Sequence, residues 1–173
     1  VVVLILEYAK TSNYCLIILK YARADRADEP KKVVSDAFAE AIRKAVELKV
    51  DIVNISSGGA APCYAEFSSI SKSDTTLFVV AAGNEGKSFD EDYSYYPASY
   101  RLPNMYVVGS IRSAGNRSSF SNYGSAVTHW ELGEDAVSEG LNGTKRTMSG
   151  TSMATAIRTG KVLYEIQNSR HPN

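Results

Sequence analysis

Cysteine is scarce in this sequence. Cys15 and Cys63 are the only two in 173 residues, which gives neither a disulfide framework nor a metal-ligand spacing. Free cysteine is commonly just core, so Cys15 is expected buried in a strand and Cys63 in a loop. Net charge is also lacking, with 19 basic against 19 acidic side chains. That removes the charge imbalance of disordered or nucleic-acid-binding segments, and no nucleic-acid partner is expected. No apolar run reaches membrane-spanning length, because Val1 to Leu6 stops at Glu7. Nothing basic precedes that run, so it does not read as a signal peptide, and no membrane partner is expected. The chain has no initiator methionine and reads as part of something longer. Histidine is limited to His129 and His171. At 44% hydrophobic residues, the chain can bury one core, and a single soluble domain over residues 1–173 is expected.

What is present alternates between strand-like and helix-like segments. Val1 to Ala9 is apolar nearly all round. Cys15 to Leu19 is a short continuous apolar run, of the kind found in strands buried on both faces of a parallel sheet. Arg23 to Lys32 is charged, contains Pro30 and reads as a surface loop. Ser35-Asp36 offers a helix cap, after which Phe38, Ala41, Ile42, Ala45 and Val46 recur at helical spacing. Strands are predicted at Val50–Ile55, Thr76–Ala81 and Met105–Ile111, with a weaker signal at Ala126–Trp130. A last helix is predicted from about Thr151 to Gln167. This rhythm argues for an α/β fold with a mostly parallel sheet and right-handed crossovers. In such sheets, sites form at the carboxyl ends of strands, and both Ser56–Gly59 and Ala82–Gly86 directly follow one.

The chemistry concentrates in Ser149-Gly150-Thr151-Ser152-Met153-Ala154. This reads as a tight turn into the last helix, with a serine among its first residues. Backbone N–H groups are unpaired there and the helix dipole is positive, so an oxyanion forming beside Ser152 is stabilised without an added cation. Acyl transfer needs that arrangement. A rival motif is Ala81 to Ser88, which has nearly the spacing of a nucleotide-binding phosphate loop, with alanine for its first glycine. Such a loop must run straight into a helix. Here the following stretch carries Tyr93, Tyr95, Tyr96, Pro97, Tyr100 and Pro103, a poor helix, so the required context fails.

Ser-Gly-Thr-Ser-Met-Ala resembles the nucleophile motif of the subtilisin-like serine proteases, the subtilases. Asp51 to Gly59 resembles the family's strand and substrate-binding loop, and Val79 to Gly86 its oxyanion-hole block. Tyr96-Pro97-Ala98, Val107-Val108-Gly109 and Phe120 to Gly124 continue the match in order. The resemblance spans roughly residues 14–164. It implies a three-layer subtilisin-like α/β fold, incomplete at its N-terminal end, with Val1 to Ala9 as the buried central helix. It further implies that Ser152 is the nucleophile and that Asn84 donates its side-chain amide to the developing oxyanion, together with the backbone N–H of Ser152. Ser57, Gly58 and Gly59 would pair with an extended polypeptide substrate, and Ala82 and Gly83 would line the pocket for the side chain preceding the cut. The Tyr96–Pro97 bond matches a position that is cis in the family. Calcium is a known companion of the family, but no site for it, or for any other metal or cofactor, can be identified in the sequence. Many subtilases are exported, which does not assign a compartment here.

A serine nucleophile needs a histidine base and a carboxylate that orients it, in the family order Asp, His, Ser. Neither His129 nor His171 falls at the family's histidine position. Val1 to Leu6 resembles the body of the helix that the catalytic histidine opens, so the missing residues are expected upstream, in the remainder of the same domain. On that expectation this chain alone is inactive or nearly so. The other expectation is a pseudoprotease that keeps the groove and binds extended peptides without cutting them. Past Ala154, the family's small residues, proline and histidine give way to Thr155, Ala156, Ile157, Arg158 and Lys161, which predicts a straighter helix with a wetter face.

Overall fold

The computed structural model describes residues 1–11, 13–22 and 31–170. Its centre is a four-stranded, wholly parallel sheet of β1 (Ile52–Ile55), β2 (Leu77–Ala81), β3 (Met105–Ile111) and β4 (His129–Leu132), ordered as numbered. The register pairs Ile52 with Leu77, Phe78 with Met105 and Val108 with His129. The β-branched and aromatic runs Phe78-Val79-Val80 and Tyr106-Val107-Val108 form the middle strands because both their faces are covered.

Alternation divides those faces. Phe78, Val80, Ala82, Met105 and Val107 pack with Ile42 of helix α2 (Lys31–Glu47) and Ile70 of helix α3 (Tyr64–Ser71). Val79 and Val108 face the other way, onto Ala154 of helix α4 (Thr151–Arg170). Full burial of Phe78, Val79 and Val80 stabilises the sheet by about 1.5–3 kcal/mol each. Helix α1 (Val2–Ala9) lies against α4, with Leu4 and Ile5 meeting Met153, Ala156 and Ile157. The result is three layers, as expected. A small antiparallel hairpin, β5 (Ala136–Glu139) with β6 (Lys145–Met148), stands apart from the sheet. The Tyr96–Pro97 bond is cis.

Three expectations are corrected. Helix α2 starts at Lys31 rather than at Ser35, because Val34 and Phe38 lie on one stripe and carry the periodicity back past the polar pair. Cys15 to Leu19 is not a buried strand. Among the described residues it has no ladder partner, Cys15 is exposed, and Leu16, Ile17 and Ile18 are 44%, 43% and 71% exposed. The free edge of β1 faces this segment across a cleft of about 960 Å³, walled also by Phe38 and Ile42. With no neighbour at ladder distance, an apolar run cannot form strand hydrogen bonds. Finally, α1 is buried on one face only: Leu4, Ile5 and Ala9 are covered, while Val1, Val2 and Val3 remain exposed.

The wetter face expected from Arg158 and Lys161 is realised at Lys161 only. Both reach Glu131 on β4, Lys161 Nζ at 2.6 Å and Arg158 Nη1 at 3.8 Å. The Glu131 and Arg158 side chains are 11% and 17% exposed, so that pair sits largely out of water, whereas the Lys161 side chain is 42% exposed. Of the sequence features noted above, Pro30 and His171 lie outside the described residues.

Candidate active site

Helix α4 begins directly after Gly150, whose φ of 153° is a backbone state that side-chain-bearing residues rarely adopt. The turn brings the helix's first residues to the carboxyl ends of β1 and β2. Ser152 is half-buried there. Its Oγ donates to the carbonyl of Ser56 at 3.0 Å, and the Ser56 hydroxyl donates to the carbonyl of Ser152 at 3.1 Å. These crossed bonds tie the start of α4 to the end of β1.

Asn84 arrives from the adjacent loop, after β2. Its Oδ1 accepts from the Thr151 N–H at 2.8 Å and from the Thr151 hydroxyl at 3.0 Å. That N–H is one of the first-turn donors a helix leaves without an internal partner, so Asn84 caps α4 from outside. With its oxygen held, the amide Nδ2 is left as a donor at the solvent side. Thr151 Oγ1 also accepts from the Gly83 N–H at 3.2 Å. The Thr151 N–H is taken by Asn84, and the Met153 and Ala154 N–H groups donate to Gly150 O, so a carbonyl on Ser152 would find the Asn84 amide and the Ser152 N–H as donors.

The remaining sequence-selected residues form the walls. Ser57 is half-buried, whereas Gly58 and Gly59 are exposed. Gly59 is not free to pair with a substrate: its N–H donates to Tyr96 O at 2.9 Å and its carbonyl accepts from Tyr96 N–H at 2.7 Å. Among the described residues, nothing takes up the backbone groups of Ser57 or Gly58. Ala82 is buried and extends β2 by donating to Val108 O at 3.0 Å. Gly83 is buried with a φ of 98°.

Sequence reasoning did not single out Ser56, Thr151 or Asn122. The buried Asn122 accepts from the N–H groups of Glu85 and Lys87 at 3.2 and 2.9 Å. It donates to Ala82 O at 2.8 Å and to Glu85 Oε2 at 2.7 Å. All four capacities of this amide are thus used to shape the 82–87 loop. The signal for it was the Phe120-to-Gly124 block, read only as a block. After that loop the next strand is β3, preceded by a single 3₁₀ turn at Ala98–Tyr100. No helix receives the loop, so the phosphate-loop geometry is not met.

His129 is far from Ser152. It starts β4, three strand spacings from β1, about 14 Å across the sheet. Its ring lies 4.1 Å from the Tyr106 ring, and its Nδ1 shares a 2.9 Å hydrogen bond with the Thr128 hydroxyl. Burial, helped by the Arg158 charge, holds its pKa below the usual histidine value. Among the described residues, no histidine reaches Ser152, and no three His, Cys, Asp or Glu side chains converge to hold a metal ion.

Comparison with known proteins identifies the family. The subtilase family profile matches residues 22–172. An alkaline proteinase from Hapsidospora chrysogena is 35% identical over 91% of this chain and 39% of its own length. Subtilisin from Bacillus pumilus is 35% identical over 76% of the chain and 47% of its own. A cold-adapted subtilisin-like serine proteinase superposes with a TM-score of 0.68 and 30% identity, over 78% of this chain and 48% of that one. The chain thus spans less than half the length of each of these relatives. A match over most of its own length, on a site in which a serine opens a helix capped by an asparagine, makes this chain a member of the subtilase family.

Proposed function

We propose that Ser152 is the nucleophile of a serine endopeptidase that cuts polypeptides through an acyl-enzyme. The observation that supports it is the convergence of the Ser152 hydroxyl and the Asn84 amide at the N-terminus of α4. Ser152 Oγ attacks the scissile carbonyl carbon and gives its proton to a base. The carbonyl oxygen becomes an oxyanion facing Asn84 Nδ2 and the Ser152 N–H. The tetrahedral intermediate collapses, the amine leaves with a proton from that base, and water then releases the acyl group by the same steps. The substrate backbone runs along Ser57 and Gly58, whose own backbone groups have no partner among the described residues.

The base and its orienting carboxylate come, on this reading, from outside the described residues, from the rest of the same domain. Without them the oxyanion site alone retains roughly 10³–10⁴ over water, far below a working protease. The competing reading is a peptide-binding relic, favoured by the Ser152 hydroxyl resting on a backbone carbonyl rather than on a base. The deciding experiment treats the protein from its natural source with a fluorophosphonate, maps the adduct and measures intact mass. A single adduct on Ser152, absent in Ser152→Ala, is the expected result. A folded protein with no adduct overturns the enzyme and leaves the peptide-binding groove.

A further inference from the structure

The two glycine-bearing loops leave the ends of adjacent strands β1 and β2, one strand spacing apart, and the start of α4 is tied to both, Ser152 to Ser56 and Thr151 to Asn84. On the protease reading, a side chain on an acyl group at Ser152 would enter the slot between the two loops. That slot already holds a side chain. A Cβ added at Gly58 would lie 2.5 Å from Cε1 and 2.8 Å from Cζ of Tyr95, and one added at Gly83 would lie 3.1 Å from its Cδ1. One edge of a single ring therefore touches both walls.

The ring is held there. The Tyr95 N–H donates to Ser99 Oγ at 2.9 Å, its carbonyl accepts from Ser99 N–H at 2.8 Å, and its side chain packs on the core beneath the sheet. Tyr95 is half-buried, and burial first, then the Glu85 charge, push its hydroxyl up to about 12. Glu85 closes another side. Its Oε2 accepts from Asn122 Nδ2 at 2.7 Å and from the Tyr93 hydroxyl at 3.0 Å, and it would lie 2.6 Å from a Cβ at Gly83. The glycines thus leave room that Tyr95 and Glu85 take up.

We propose that Tyr95 is the floor of the side-chain pocket and confines the residue preceding the scissile bond to glycine, alanine or serine. A methyl or hydroxymethyl group fits above the ring edge, whereas a leucine or phenylalanine side chain meets it. This inference rests on the protease reading. Its substrates are then peptides cut after small residues.

The test uses the full-length protein and three peptide p-nitroanilides that differ only in the residue before the anilide: alanine, leucine or phenylalanine. Alanine is expected to exceed phenylalanine in kcat/KM by at least about 100-fold, the scale on which a filled apolar pocket discriminates. Tyr95→Gly is expected to bring the two within about tenfold or invert them, whereas Tyr95→Phe keeps the wild-type ratio. Phenylalanine cleaved as fast as alanine by the wild type overturns the inference and leaves the protease intact. So does a ratio unmoved in Tyr95→Gly, and the wild-type series decides even where that variant fails to fold. No hydrolysis of any member removes the protease reading and this inference with it.

Discussion

At the scale of single residues, Asn84 has two separable duties. Its oxygen caps α4 through Thr151, and its nitrogen is the donor proposed for the oxyanion. Asn84→Asp keeps an acceptor for Thr151 and removes the donor. Its stability should therefore stay near wild type while turnover falls by about 10²–10³, a magnitude taken from donor removal in subtilisin rather than from this geometry. Steady-state kinetics together with a thermal melt on the full-length protein separate the two duties. Equal turnover in the variant would remove Asn84 from the chemistry. Glu66 shows the opposite case, a buried carboxyl whose Oε1 has no hydrogen-bond partner among the described residues. Burial raises its pKa from 4.5 to about 7, even though it sits in the first turn of α3, where the dipole favours a carboxylate. The sign follows from linkage. Its contribution is complete below about pH 4.5 and is lost as pH rises towards 7, a loss on the order of 2–3 kcal/mol. Urea midpoints should fall across that window in the wild type and flatten in Glu66→Gln.

At the scale of elements, α1 and α4 approach closely because Gly160 has no side chain. A Cβ there would overlap the carbonyl oxygen of Ile5 and lie 2.8 Å from Tyr8 Cβ. In an isolated helix, alanine for glycine gains about 1 kcal/mol. Overpacking a backbone contact costs about 1–3 kcal/mol and should win. Gly160→Ala is therefore expected to lower the urea midpoint, and a raised midpoint would show that α1 can move away freely. The same elements show what the sequence made legible. β2 and β3 announced themselves because they carry apolar runs buried on both faces, β1 because Asn54 alone interrupts its apolar residues, and α4 because it follows a glycine turn. The hairpin did not, since in Ala136-Val137-Ser138-Glu139 only Ala136 and Ser138 are buried, too weak a pattern to read. Helix α3 was missed as well, being eight residues with four serines or tyrosines. Cys15 to Leu19 was misread because composition reports what a run can pack against, not whether a neighbour is there. At the site, the serine, the asparagine and both loops were legible as motifs. The braces Thr151 and Asn122 were not, since hydrogen bonds between residues 35 to 68 positions apart leave no local pattern. Gly59 was assigned to the substrate although Tyr96 holds it, for the same reason.

At the scale of the whole molecule, the residues of the candidate site gather on the carboxyl ends of two neighbouring strands, whereas Glu66, Gly160 and the Glu131 ion pairs lie elsewhere. Substitutions at the second group should act on stability and leave the geometry around Ser152 intact. β1 belongs to both parts. Its free edge walls the 960 Å³ cleft, and just past its carboxyl end Ser56 exchanges hydrogen bonds with Ser152. Whatever settles in that cleft and displaces β1 also moves the carbonyl on which the serine's proton rests. Were an occupant to displace β1, occupancy of the cleft and reactivity of the serine would be linked equilibria. By reciprocity, the factor by which filling the cleft changes the affinity of Ser152 for an acyl ligand is the factor by which that ligand changes the affinity of the cleft for its occupant.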